Sequence, residues 1–300
     1  MDTRYLHSGL PGLTAHPTMV CHRESYPALE AVQRSAAGKY VLITNASHGI
    51  GRAIAVSWAR AKAAGIAISS LNAEDLEFVA EEIRRINHNI PIVAMTCDTT
   101  SSFDVNNFFS ATKDILGRLD VAIANVGTTH LDYLDITDDN DLWWADVMTN
   151  FRSTHLTAHQ YLRTFGPSPI GTFISITSGA NFCVGAGVSS HEFAQQIDHR
   201  LLEFLAFEYP MMKAFSLNSV PIHVRRTRLI HGHPEICNPE LVGLFSVWLG
   251  GGRADLLRGN SLRAEWDIGE LERNMWQALE KDTLKQKISS GCLRLAMRQV

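Results

Sequence analysis

The densest chemical signal in the sequence is the run Thr44, Asn45, Ala46, Ser47, His48, Gly49, Ile50, Gly51. It follows an apolar stretch at 40–43 suited to a buried parallel strand and precedes a helical stretch at 53–61. A glycine-rich turn in that setting presents backbone amides at the positive end of a helix. A dinucleotide's pyrophosphate can lie there without side-chain obstruction. The second signal is His191, which opens a helical segment at 191–208, with Gln195 one turn on. Imidazole titrates near neutrality and can act as acid or base; a carboxamide donates and accepts hydrogen bonds but carries no charge. His191 is therefore either a proton-transfer group or a residue that merely caps the helix. His130, Asn181, His223 and Arg225 follow further strand-like runs, at the ends where open α/β sheets bind ligands, although each taken singly reads as a loop residue. His155 and His159 share a helical face at i, i+4 spacing, which could ligate a metal. No third ligand accompanies them, so helix surface or interface is the reading and no metal is expected.

Positioning these groups requires a scaffold, and the apolar pattern supplies one. Strand-like runs at 40–44, 65–70, 91–96, 120–125, 172–176 and 214–220 alternate with helical stretches at 53–61, 73–86, 104–116, 141–165 and 191–208. The stretch 141–165 is long and carries a predicted break near Arg152. Alternation of this kind implies an α/β fold, a doubly wound parallel sheet of Rossmann type, in a single domain with right-handed crossovers. Residues 1–36 read as an N-terminal arm broken by Pro11, Gly12, Pro17 and Pro27, with a short helix at 28–34. Residues 37–282 form the domain, its last part holding helical stretches at 239–249 and 271–284 and a short strand at 262–266. Residues 283–300 read as a C-terminal extension.

Composition narrows the function classes. Hydrophobic residues at 45% with charged residues at 19% are enough for a substantial core. A net charge of −4 argues against a nucleic-acid partner, which needs a basic patch. Five scattered cysteines (Cys21, Cys97, Cys183, Cys237, Cys292) form no C-x-x-C pair, which suggests a reducing compartment and neither a disulfide framework nor a zinc site. No apolar run is long enough for a signal peptide or a membrane span. The expectation is a cytoplasmic protein acting on a small molecule, with no membrane and no nucleic acid involved.

Taken in order, these segments resemble the short-chain dehydrogenase/reductase family over roughly residues 25–275. The turn is similar to its T-G-x-x-x-G-x-G fingerprint, with Asn45 in place of the first glycine; Asn tolerates left-handed backbone angles. Ala124, Asn125, Val126 and Gly127 resemble its N-N-A-G motif. Asp98 matches the family's adenine-holding acid, Asn150 its helix Asn, Ser178 its catalytic Ser at the end of a strand, and Asn218 and Thr227 its later Asn and Thr. Ile222 and His223 replace the family's Pro-Gly. The resemblance implies cofactor contacts from Asn45, Ser47, His48, Gly49, Ile50, Gly51, Asp98, Asn125, Gly127 and Thr227, and a catalytic group drawn from Ser178, His191, Gln195 and Asn150. It also implies self-association as a homodimer or homotetramer. The arm around Tyr26 and the segments near Trp248, Arg258 and Trp266 look like a filamentous-fungal branch active in secondary metabolism.

Two departures bear on function. The family places a Tyr at the start of this helix and a Lys four residues later; here those positions hold His191 and Gln195. Losing a positioned acid costs about 10²–10⁴ in rate. The second strand ends in Ser70, Leu71 and Asn72, with neither the acid of an NAD site nor the Arg of an NADP site. His48 or Arg52 could meet a 2′-phosphate, which tips the expectation to NADP(H), used for hydride transfer, kept as a structural wall, or lost. The leading expectation is a redox-neutral rearrangement of a metabolite (isomerisation, cyclisation or dehydration). An atypical NADP(H)-dependent reductase and a non-catalytic scaffold are the alternatives.

Overall fold

The computed structural model describes residues 4–6, 18–125, 127–128, 140–166, 171–178, 187, 189–219 and 238–280. Seven of its strands form one parallel sheet: β3 (Tyr40–Ile43), β4 (Gly65–Ser70), β5 (Ile92–Thr96), β6 (Val121–Ala124), β7 (Thr172–Ser178), β8 (Lys213–Ser219) and β9 (Ser261–Arg263). Their spatial order is β5-β4-β3-β6-β7-β8-β9, with every neighbouring pair parallel. The chain winds outward from β3 in one direction and then from β6 in the other. The crevice between the carboxyl ends of β3 and β6 is therefore the switch point where such sheets bind ligands.

Strand residues bury both faces, as a covered parallel sheet requires. Val41 and Ile43 point into one core with Ile66, Ile68, Val121, Ile123, Ile174 and Ile176, while Leu42 joins Ala67, Ala122 and Phe173 in the other. Helices α2 (Gly49–Arg60), α3 (Ala73–Ile86) and α8 (Pro239–Gly250) cover the first face. Helices α4 (Ser102–Leu116), α6 (Ser153–Phe165) and α7 (Ser189–Glu208) cover the second. Asn72 and Ser101 cap α3 and α4 by accepting hydrogen bonds from first-turn amides. The break expected near Arg152 is a π turn, Met148–Arg152, joining α5 (Asn140–Val147) to α6.

The arm is less irregular than its prolines imply. β1 (Arg4–Leu6) pairs antiparallel with β2 (Val20–His22), and α1 (Pro27–Ala31) runs into a 3₁₀ turn at Val32–Ala36. Leu29, Val32 and Ala36 are buried in the first core, so this part of the arm belongs to the domain's packing. Tyr26 Oη donates to Trp266 O (3.1 Å) and accepts from Ile268 N (2.8 Å), closing the turn before α9 (Ile268–Glu280). His22, stacked on Tyr26, contacts Asp267 Oδ2 at 2.9 Å through Nε2. Among the described residues no helix is long and apolar enough to cross a membrane, and no cluster of metal-ligating side chains occurs. The extension at 283–300 lies outside the described residues.

Candidate functional site

The glycine-rich turn takes the form its sequence suggests. Asn45 sits at φ 49, in the left-handed region that Asn occupies more readily than other non-glycine residues. The first glycine of the fingerprint is thus replaced without loss of the turn. Asn125, at the end of β6, ties the two strand ends together: its Nδ2 donates to Asn45 O (3.0 Å) and Thr44 O (3.3 Å), and its amide donates to Thr44 Oγ1 (2.9 Å). Gly51 lies under this knot. A Cβ there would stand 2.6 Å from Asn125 Nδ2, 2.9 Å from Ala46 Cα, and closer still to Asn45 O. Gly49, at φ +54, has open space where its Cβ would be. His48 precedes α2 in extended conformation and its side chain makes no capping hydrogen bond, so among the described residues the first turn of α2 has no side-chain cap. A left-handed turn, a glycine packed beneath it and an uncapped helix start together fit a pyrophosphate.

At the end of β4 three polar side chains form a line. Ser70 Oγ donates to Ser47 Oγ (2.8 Å), and Ser47 Oγ lies 2.9 Å from His48 Nδ1. Arg52 turns away and pairs with Glu82 through Nε and Nη2, each at 2.9 Å. Of the two residues considered for a 2′-phosphate, only His48 stands beside this line. Asp98 Oδ1 is held by its own turn, accepting from Thr100 N (2.8 Å) and Oγ1 (2.7 Å). Ile50 packs half-buried on the first core.

The chemical half is built around the π turn. Asn150, at the centre of the turn, donates through Nδ2 to Asp146 O (2.8 Å). The same Asn150 side chain holds the strand-end loop after Gly127, donating to Thr128 O (2.9 Å) and accepting from Thr128 N (2.9 Å). His191 Nδ1 lies 3.3 Å from that Thr128 oxygen. A carbonyl can only accept, so Nδ1 carries the hydrogen and the lone pair of the neutral ring sits on Nε2. Burial holds the imidazole below its ordinary range, opposed by the Thr128 contact and the nearby Asp146 carboxylate. At neutral pH the ring is a neutral base with its lone pair on Nε2. Gln195 follows one turn later on the same helix, buried and hydrogen-bonded, where a cation would be expected.

Ser178 ends β7, its backbone paired with Ser219, and its side chain lies outside the described residues. His130, Asn181, Ile222, His223, Arg225 and Thr227 also lie outside them. Asn218 is buried in β8, accepting from Thr177 Oγ1 (2.6 Å) and donating to Ser261 Oγ (2.7 Å), which joins three strands. His155 and His159 stack with ring centroids 6.0 Å apart on the exposed side of α6.

Three residues escaped the sequence reading. Thr128 supplies the carbonyl under His191; Asp146 accepts from Thr128 Oγ1 (3.1 Å) and Ser190 Oγ (3.0 Å). The available signal was an acid four residues before Asn150, hence on the same helix face, between apolar neighbours. Glu192 is the third: burial pushes its carboxyl up to about 7, beside His191 in the chain.

Residues 39–209 match the family model described as short chain dehydrogenase. The short chain dehydrogenase mpl6 of Monascus purpureus is 28% identical over 277 residues, covering 89% of this chain and 94% of the relative. The short chain dehydrogenase pigC of Monascus ruber is 25% identical over 300 residues, covering 93% and 97%. Among solved structures, a dehydrogenase/reductase from Sinorhizobium meliloti 1021 superposes with a TM-score of 0.69 at 23% identity, covering 80% of this chain and 98% of that one. An alcohol dehydrogenase from Thermococcus sibiricus, complexed with 5-hydroxy-NADP, gives 0.67 at 21%, covering 75% and 95%. These structures share the seven-stranded fold, and with more than half of its length matched by the family model, this chain belongs to the short chain dehydrogenase family.

Proposed function

We propose that the protein is a nicotinamide-dinucleotide-dependent oxidoreductase of a small hydroxy or carbonyl metabolite, with His191 as its proton-transfer residue. The observation that carries this reading is the oriented ring of His191, with Nδ1–H on Thr128 O and the lone pair of the neutral imidazole therefore on Nε2. The turn from Asn45 to Gly51 retains the shape needed to hold a pyrophosphate, which supports a bound nucleotide. The Ser47, Ser70 and His48 line favours NADP(H) over NAD(H), since it offers hydroxyls and an imidazole but no acid at the ribose. The relatives named as short chain dehydrogenases point the same way, and the resemblance to fungal secondary-metabolism proteins suggests the substrate class.

A bound nicotinamide supplies the hydride acceptor or donor. The chain's part is the proton. In the oxidising direction Nε2 of neutral His191 takes the hydroxyl proton as the carbinol C–H leaves as hydride; in the reducing direction the imidazolium returns it to the new alkoxide. Imidazole reaches less far than a phenol, and a bridging water can span the difference. Gln195 can hold a ribose hydroxyl or a substrate carbonyl by hydrogen bond. It cannot supply the positive charge of a lysine, and that loss weakens ribose binding. The same observation favours a second reading, a redox-neutral rearrangement in which neutral His191 acts as base and a nucleotide serves only as a wall.

Self-association through α5, α6 and α7 is part of the proposal. Trp144, Met148, Phe193, Ile197 and Phe204 leave large apolar surfaces exposed there. Phe204→Glu is expected to convert a homodimer or tetramer to smaller species by light scattering; an unchanged mass counts against this face.

The test is titration with NADPH and NADP⁺ by fluorescence and calorimetry, followed by a hydride-transfer screen with wild type and His191→Phe. Micromolar binding, turnover, and its loss in His191→Phe are expected. Absent binding overturns the oxidoreductase reading; binding without hydride transfer selects the redox-neutral one.

A further inference from the structure

We infer that Asp146 is the positioning residue of His191, gripping through its carboxylate both the loop that holds the imidazole and the helix start that carries it. Asp146 is 1% exposed. Its Oδ1 accepts from Thr128 Oγ1 (3.1 Å), and Thr128 O is the acceptor for His191 Nδ1. Its Oδ2 accepts from Ser190 Oγ (3.0 Å), and Ser190 is the residue that leads into His191. One side chain on α5 therefore spans the β6 loop and the first turn of α7. A buried carboxylate is costly unless its oxygens are satisfied, as both are here, and an apolar residue would pack this helix face without any such requirement. What an apolar residue cannot do is fix Thr128 O relative to the imidazole or favour the proton-loaded ring.

Other charged groups around His191 are less well placed. Arg152, on the π turn, donates to Thr100 O and points elsewhere. Asp141 of α5 is exposed, and Glu192 is the neighbouring titrating carboxyl on α7. On β7 and β8, Thr177 donates to Asn218 and Ser219 donates to Thr177 O, and none of these side chains is charged.

The inference rests on His191 being the proton-transfer residue, and its test separates the two. The probe is full-length protein with ¹⁵N-labelled histidine, His191 being assigned by comparison with His191→Gln. In Asp146→Asn the His191 midpoint is expected to fall by at least about half a unit, with the rate–pH profile displaced equally. Glu192→Gln should leave the tautomer in place, so its own titration is separable. If Asp146→Asn does not fold, Thr128→Val removes the hydroxyl link and keeps the carbonyl; it is expected to raise the minor Nε2–H tautomer. An unchanged midpoint and unchanged tautomer populations overturn the inference, whatever turnover does. A shifted midpoint with full turnover in His191→Phe upholds the positioning and removes His191 from the proposed reaction.

Discussion

Gly51→Ala tests whether the nucleotide turn works as its geometry implies. The added methyl would lie 2.6 Å from Asn125 Nδ2 and 2.9 Å from Ala46 Cα, with Asn45 O nearer still. Two of these neighbours are backbone, and the third is an amide already bonded to Thr44 O and Asn45 O. None is a free side-chain end that can swing aside, so relief must come from moving the turn. Overpacking of this kind costs about 1–3 kcal/mol, and rigid neighbours place it at the upper end. At about 2–4 °C per kcal/mol for a chain of this size, the melting midpoint should drop by roughly 6–12 °C. Displacing Asn45 also displaces the amides that would face the pyrophosphate, so NADPH affinity should fall at least about tenfold, or 1.4 kcal/mol. Gly49→Ala is the matched comparison. Its methyl meets nothing, but φ +54 costs a non-glycine residue about 1–2 kcal/mol. Differential scanning fluorimetry and calorimetric titration read both quantities. The reasoning is refuted if Gly51→Ala melts within a degree of wild type and binds NADPH equally well.

Three further outcomes follow from the structure. With His191 held below the ordinary imidazole value of 6.5, alcohol oxidation should be flat at neutral pH and fall about tenfold per unit below the midpoint; carbonyl reduction should rise as pH falls, and the same slope in both directions would contradict a single His191 proton. Glu192 is raised from 4.5 to about 7, so the folded state favours its neutral form, and its cost grows between these values and persists above them. Glu192→Gln should therefore stabilise at pH 8 by on the order of 3 kcal/mol and leave stability at pH 4 unchanged, as urea unfolding at the two pH values would show; equal effects at both would rule out titration as the cause. Tyr26→Phe strips a buried carbonyl and a buried amide of their partner, at about 1–3 kcal/mol, and a melting midpoint within about 1 °C of wild type would mean the arm contributes little to the fold.

The alternation of apolar strands and helices made the sheet legible from residues alone, because parallel strands covered on both faces must read as short apolar runs. Asn45 was legible as a tolerated replacement for glycine because φ preference is a local property of the residue. So was the missing cation at Gln195, since charge is a matter of residue type. The break near Arg152 was also visible, whereas its π geometry, and the use of Asn150 to tie Asp146 O to the Thr128 loop, depended on what the turn packs against. Arg52 looked available in the sequence, yet Glu82, thirty residues away, engages it once α2 and α3 lie side by side. Thr128, Asp146 and Ser190 are unremarkable residues in three separate segments. Only the folding of α5 against the β6 loop and the start of α7 brings them within hydrogen-bond reach of one another, and with that it is decided which nitrogen of His191 carries the hydrogen. Residue type settles what a group can do; packing settles which atom faces which, because buried hydrogen bonds are made between segments that the chain order keeps apart.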